Sequence, residues 1–189
     1  MVKLIFFCCS LLVIVWSQSI HSFELNAEQA MEMLSITPEQ NTNGTFKQKK
    51  FFKVLATPFI STGFYRQTSN NFKWVTTEPV RSTLIFDGEK LWQQNGSEIR
   101  VELPLANHYI NVVKALIKGD LYALKTYFSF KKSKVNNCIT LLPLDNKIAL
   151  IGESIQFCYQ GKRLSIRINE SSGNYTDLKI TPADKSVEN

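Results

Sequence analysis

The chain is poor in the residues that do chemistry. It carries two histidines and four cysteines among 189 residues. No G-x-S-x-G nucleophile turn, H-E-x-x-H metal helix or phosphate-binding glycine loop is present; "YQGKRLS" lacks the upstream glycine that such a loop needs. His108 stands at the start of a helical pattern, where a lone histidine reads as a cap or a surface residue rather than a general base. His and Cys do not fall at metal-ligand spacing. These absences point away from an enzyme and give no reason to expect a cofactor or a metal. No apolar run approaches the roughly twenty residues of a comfortable membrane span.

The longest apolar run, Leu4–Trp16, follows a basic start at Lys3 and precedes small residues at Ser17, Ser19 and Ser22. That pattern reads as a signal peptide over Met1–Ser22, cleaved after Ser19 or Ser22. Cys8 and Cys9 lie inside the run and Phe7 precedes them, so no lipid-anchor cysteine is read. The remainder, 23–189, has the length and composition of one domain, with 44% hydrophobic and 20% charged residues over the whole chain. A soluble, exported mature protein is expected.

Net charge is +6. The basic residues are spread out, with one cluster at "FKQKKFFK" (Phe46–Lys53). Export argues against nucleic acid as a partner. A strand with a solvated basic edge, or a surface that meets anionic lipid headgroups, remains. Beyond the leader only Cys138 and Cys158 are left. An oxidising compartment favours a disulfide between them, with two buried thiols as the alternative. Four N-x-S/T sequons, at Asn43, Asn95, Asn169 and Asn174, read as incidental.

"NAEQAMEML" (Asn26–Leu34) reads as a first helix: Asn26 as cap, Gln29 three residues on, and an apolar stripe of Ala27, Ala30, Met31 and Leu34. Thr37–Thr45 reads as a loop. Strands are then expected at Phe46–Phe51, Phe59–Gln67, Phe72–Glu78, Ser82–Phe86 and Lys90–Gln94, the last two joined at Asp87-Gly88. The period changes in "NHYINVVKALIKGDLYALKTYF". There Gly119 should stop one helix and Asp120 cap a second, shorter one. Further strands are expected at Phe128–Lys132, Cys138–Leu142, Ile148–Gly152, Ile155–Tyr159, Leu164–Asn169 and Tyr175–Ile180. The sum is a mainly β chain with some α. About eleven antiparallel strands form a sheet that must curl, its helices covering one face or mouth.

One stretch, "FKWVTTEPVRSTLIFDGEKLWQQN" (Phe72–Asn95), sets large aromatics on strands beside a turn with no catalytic residue near them. Its "F-x-W-x4-P" (Phe72–Pro79) and "L-x-x-D-G-x-x-L-W" (Leu84–Trp92), with "F-x-Q-x-K" at Phe46–Lys50, resemble the periplasmic lipoprotein-carrier family, LolA. "VLATPFISTG" (Val54–Gly63), "GDLxALxxxF" (Gly119–Phe128), an "L-x-P" strand (Leu141–Pro143) and "E-x-x-G-x-x-T" (Glu170–Thr176) are closer to a LolA-related branch than to LolA proper. The resemblance covers Thr45 to Ile180.

It implies an incomplete antiparallel β-barrel with helices as a lid. The apolar inner side would shelter acyl chains, and Phe46, Phe64, Phe72, Trp74, Leu84, Phe86 and Trp92 would line the trough. Plain core packing is the alternative reading for any one of these aromatics. Ile110, Val113, Leu116, Ile117, Leu121 and Leu124 would form the lid. The implied partners are an acylated cargo (lipoprotein, glycolipid or aryl-polyene-type lipid), an inner-membrane exporter and an outer-membrane acceptor. The carrier would act as a monomer. LolA proper has a lid-bonding arginine where this chain has Thr68, and Arg66, two residues earlier, is the candidate substitute. A non-enzymatic protein-binding or scaffold module is the alternative function.

Overall fold

The computed structural model describes residues 24–36, 43–104 and 107–183. The expected signal peptide and the side chain of His108 lie outside the described residues, as does most of the expected 37–45 loop. In chain order the elements are β1 (Glu24–Leu25), α1 (Ala27–Leu34), β2 (Asn43–Phe51), β3 (Phe59–Gln67), β4 (Phe72–Glu78), β5 (Ser82–Phe86), β6 (Leu91–Asn95) and β7 (Val101–Leu103). Next come α2 (Asn107–Lys118), α3 (Leu121–Leu124), β8 (Phe128–Lys132), β9 (Cys138–Pro143), a 3-10 turn (Ile148–Leu150), β10 (Ser154–Gln160), β11 (Arg163–Asn169) and β12 (Tyr175–Pro182).

All twelve strands form one antiparallel sheet in the order β1-β8-β9-β10-β11-β12-β2-β3-β4-β5-β6-β7. The sheet is not closed: β1 and β7 are its two edges. Most neighbours in space are neighbours in sequence, joined by short turns, as antiparallel hairpins allow. The joint that brings the chain's two halves together is β12 against β2, where Ile180 stands opposite Phe46.

The local signals behave as the sequence predicts. Asn26 and Gln29 form a capping box on α1, each side chain accepting from the other's backbone N–H at 2.9 and 3.0 Å. Gly119, at φ +70°, ends α2, and the Asp120 carboxylate accepts from Ala123 N–H to start α3. The β5–β6 hairpin turns at Asp87-Gly88, with Gly88 at φ +104°.

Three expectations are corrected. Ile148–Leu150 is a 3-10 turn and not a strand. The Asp145 carboxylate takes up the N–H groups of Lys147 and Ile148 at 2.8 and 2.9 Å, a local alternative to pairing. β2 starts at Asn43, because Gly44 and Thr45 pair with Pro182 and Thr181 on one side and with Tyr65 and Phe64 on the other. The short edges β1 and β7, unforeseen in the sequence, bring the strand number to twelve.

One face of the sheet is covered by the helices, and the hydrophobic core lies between them. This inner face carries Phe128 and Phe130 of β8, Ile139 and Leu141 of β9, Ile155 and Phe157 of β10, and Leu164 and Ile166 of β11. Ile180, Phe46, Tyr65, Phe72, Phe86 and Leu91 continue it across β12 and β2–β6. The alternate residues face outward. They include the bidentate pair Arg167–Asp177, whose nitrogens donate at 2.6 and 2.8 Å.

Cys138 and Cys158 stand directly opposite on β9 and β10, with their sulfurs bonded at 2.02 Å.

Candidate functional site

The aromatic wall is built by register. Cross-strand partners in an antiparallel sheet share a face. Phe72 pairs with Phe86 and Trp74 with Leu84 across β4 and β5. Phe46 pairs with Gly63, and Tyr65 with Trp74. The rings of Phe46 and Trp74 stack with centroids 3.8 Å apart. Trp74 also lies 6.3 Å from both Tyr65 and Phe72. These side chains make a continuous aromatic surface on the inner face of β2–β5.

The stack depends on the residue beneath it. A Cβ on Gly63 would come within 1.9 Å of the Val75 carbonyl oxygen and 2.8 Å of the Phe46 ring. Only glycine lets the backbone of β3 pass so close.

Three expected site residues are placed elsewhere. Phe64 points to the outer face, paired with Thr45 and Val75, and is exposed. Its neighbour Tyr65 takes the inner position. Trp92 also points outward. The Asp87–Lys90 turn pairs Phe86 with Leu91, so Leu91 faces the core and Trp92 lies beside Ile85. There the Trp92 indole donates to the Asp87 carboxylate at 2.8 Å. Arg66 faces outward between Asn43 and Lys73, on the side of the sheet away from the helices, so it does not hold a lid. Thr68, at the position of the family arginine, closes the β3–β4 turn with Asn71.

α2 and α3 share a core with this wall, while α1 packs on the other half of the sheet, against β8–β10. Ile110, Leu116, Ile117, Leu121 and Leu124 are all buried in the common core and Val113 packs against it. Val112 and Ala115 are buried as well, so more of α2 is sunk than its one apolar stripe indicates. Its remaining stripe is Asn111, Lys114 and Lys118. The Lys114 ammonium donates to the Ser69 carbonyl at 3.1 Å and lies 5.7 Å from the centre of the Phe86 ring. Burial, and then the charge of Lys118, lower the pKa of Lys114. This is the bond between helix and sheet that sequence reasoning sought at Arg66. It runs the opposite way, from a cation on the helix to a carbonyl on the turn.

Large apolar side chains are exposed mainly at one end of the sheet. Val54, Leu55, Phe59 and Ile60 surround the β2–β3 turn, Val80 the β4–β5 turn, Ile99 and Val101 the β6–β7 turn, and Leu144 and Leu150 the β9–β10 connection. At the opposite end the turns Thr68–Asn71, Asp87–Lys90 and Gln160–Lys162 are polar, and the β8–β9 turn exposes Val135. Among the described residues, no three His, Cys, Asp or Glu side chains gather to hold a metal ion, and no helix is long and apolar enough to cross a membrane.

The sequence pattern of the family described as outer membrane lipoprotein carrier protein LolA matches residues 39–187. The chain belongs to the LolA family. An outer-membrane lipoprotein carrier protein from Shewanella halifaxensis is 26% identical over 115 residues, which are 59% of this chain and 53% of that protein. The match thus spans about half the length of that relative. A LolA superfamily protein of known structure, from Nitrosomonas europaea, is 12% identical with a TM-score of 0.45, over 83% of this chain and 92% of that one.

Proposed function

We propose that this LolA-family protein is a periplasmic carrier. It shelters the acyl chains of an envelope cargo against its inner face and passes them towards the outer membrane. The observation that carries this reading is the pairing of an aromatic wall (Phe46, Phe72, Trp74, Phe86) with a helix whose apolar side covers it. Burying about ten methylenes of an acyl chain is worth roughly 8 kcal/mol gross. A shuttle must offer that shelter and then withdraw it. A helix that exchanges its own Ile110, Val113, Leu116 and Ile117 for the ligand's methylenes does so without exposing much apolar surface in either state. The cargo class is an acylated lipoprotein, a glycolipid or an aryl-polyene-type lipid. The exposed apolar turns at one end of the sheet suit contact with a membrane-borne donor and acceptor.

A protein-binding module is favoured by one feature, the close filling of the inner face by the Phe46–Trp74 stack. One experiment separates the two readings: titration of a fluorescent acyl-chain probe into wild type, Trp74→Glu and Leu116→Glu, with circular dichroism to establish folding. Wild type should bind saturably. Folded Trp74→Glu should bind at least about tenfold more weakly, since an unpaired carboxylate on the wall is costly to bury. Leu116→Glu should lower stability and bind a hydrophobic dye. Failure of folded wild type to bind the probe, or undiminished binding by folded Trp74→Glu, would overturn the carrier reading. Periplasmic fractionation should yield a product starting near Ile20 or Phe23, and mass spectrometry of co-purified lipid would name the cargo.

A further inference from the structure

Tyr65 and Gln67 sit two residues apart on the inner face of β3, each with 1% of its surface exposed. Among the described residues, the Tyr65 hydroxyl and both amide atoms of Gln67 have no hydrogen-bond partner. They are set in an apolar row. Tyr65 stands opposite Trp74, and Gln67 opposite Phe72, which is itself opposite Phe86. A buried polar atom without a partner is costly, and native proteins hold few of them. Three together on the wall proposed to receive cargo call for an explanation. Leucine at 67 and phenylalanine at 65 would have avoided the cost.

The backbone also makes room for the hydroxyl. A Cβ on Gly44 would lie 2.8 Å from the Tyr65 oxygen and 2.5 Å from the Thr181 carbonyl. The phenol tip therefore occupies space that any other residue at 44 would fill.

We infer that Tyr65 and Gln67 form a polar subsite for the neutral ester or amide linkage of an acylated cargo, with the Tyr65 hydroxyl and the Gln67 amide N–H donating to its carbonyl oxygen. The inference rests on the carrier reading above and adds the chemistry at the head of the acyl chain. The donors are uncharged. Burial pushes the Tyr65 phenol up to about 12, so it stays a neutral donor at ordinary pH. Of the nearby cations, Arg66 and Lys73 lie on the outer face, and Lys114 donates to the Ser69 carbonyl. The two donors carry no charge to match a free carboxylate, whereas an ester or amide carbonyl needs only donors. The subsite therefore distinguishes acyl esters and amides from both fatty-acid anions and plain hydrocarbon. In the empty, covered state its atoms go unpaired, which raises the energy of that state and favours loading.

The test compares two pyrene-labelled probes of equal chain length, a fatty-acyl methyl ester and an alkane, on wild type, Tyr65→Phe and Gln67→Leu. Circular dichroism and thermal melts run alongside. Wild type should prefer the ester. Each variant should bind the ester about tenfold more weakly, the loss of one hydrogen bond. Each should bind the alkane as well as wild type or better, and melt no lower than wild type. Equal shifts for both probes, or none for the ester, would overturn the subsite. So would a lowered melting temperature with the ester preference intact, the signature of a structural, water-bridged pair. If wild type binds neither probe, the carrier reading itself fails, a distinct outcome that removes the subsite with it.

Discussion

Lys114 of α2 donates to the backbone carbonyl of Ser69 in the β3–β4 turn at 3.1 Å. The bond ties the middle of the covering helix to the turn at the edge of the aromatic wall. It spans 45 residues of sequence, and neither partner is a residue type that announces the contact.

Lys114→Met keeps the apolar stem and removes the bond. A half-exposed, charge-assisted bond of this kind is worth about 1 kcal/mol, or about fivefold in the population of the uncovered state. Amide hydrogen exchange over Ile110–Ile117 should accelerate by that factor, and acyl-probe association should quicken with it. Unchanged exchange in α2 would show that the bond does not hold the helix down.

Gly63 should tolerate no side chain. Gly63→Ala places a Cβ against the Val75 carbonyl and the Phe46 ring, and overpacking of this severity costs about 3 kcal/mol. Urea unfolding would read the loss as a lower midpoint at unchanged slope. A variant as stable as wild type would mean that the β3–β4 bulge at Thr62/Gly63 yields easily.

The disulfide joins adjacent strands across a sequence separation of 20. On the chain-entropy model, Cys138→Ser with Cys158→Ser should cost roughly 3 kcal/mol by constraining the unfolded chain less. Thiol labelling of the native protein without reductant should find neither cysteine free. Quantitative labelling of both would refute the bond.

Asp87 gives a pH signature. Its carboxylate accepts from the backbone N–H groups of Lys90 and Glu89 and from the Trp92 indole. The Lys90 N–H, then the indole, are the leading causes that lower its pKa from 3.8 to about 2. Because the folded value is depressed, the stabilisation is present above the ordinary value and is lost as pH falls from about 4 through about 2. The Trp92 indole N–H resonance should move with a midpoint near the lower figure. Asp87→Asn should abolish that movement. A midpoint near the ordinary carboxylate value would show that the hairpin is not held this way.

What the sequence determined by itself was the local grammar and the family. Asn26 and Gln29 specify the start of α1 because both halves of the capping box lie within one turn. Gly119 and Asp120 specify the break between α2 and α3, and Asp87-Gly88 the β5–β6 hairpin, for the same reason: every atom involved is close along the chain. The aromatic motifs around Phe72–Trp92 carried the family. Tertiary structure decided which aromatics share the inner face, because a shift of one residue turns every side chain to the other side of a sheet. Alternation fixes parity within one strand but not across a bulge or turn, so Tyr65 and Leu91 stand where Phe64 and Trp92 were expected. The Lys114–Ser69 bond and the unpaired Tyr65 and Gln67 were illegible for a related reason. Each depends on which segments the sheet and helices bring together across the core, and a strand's own pattern of polar and apolar residues does not record its partners.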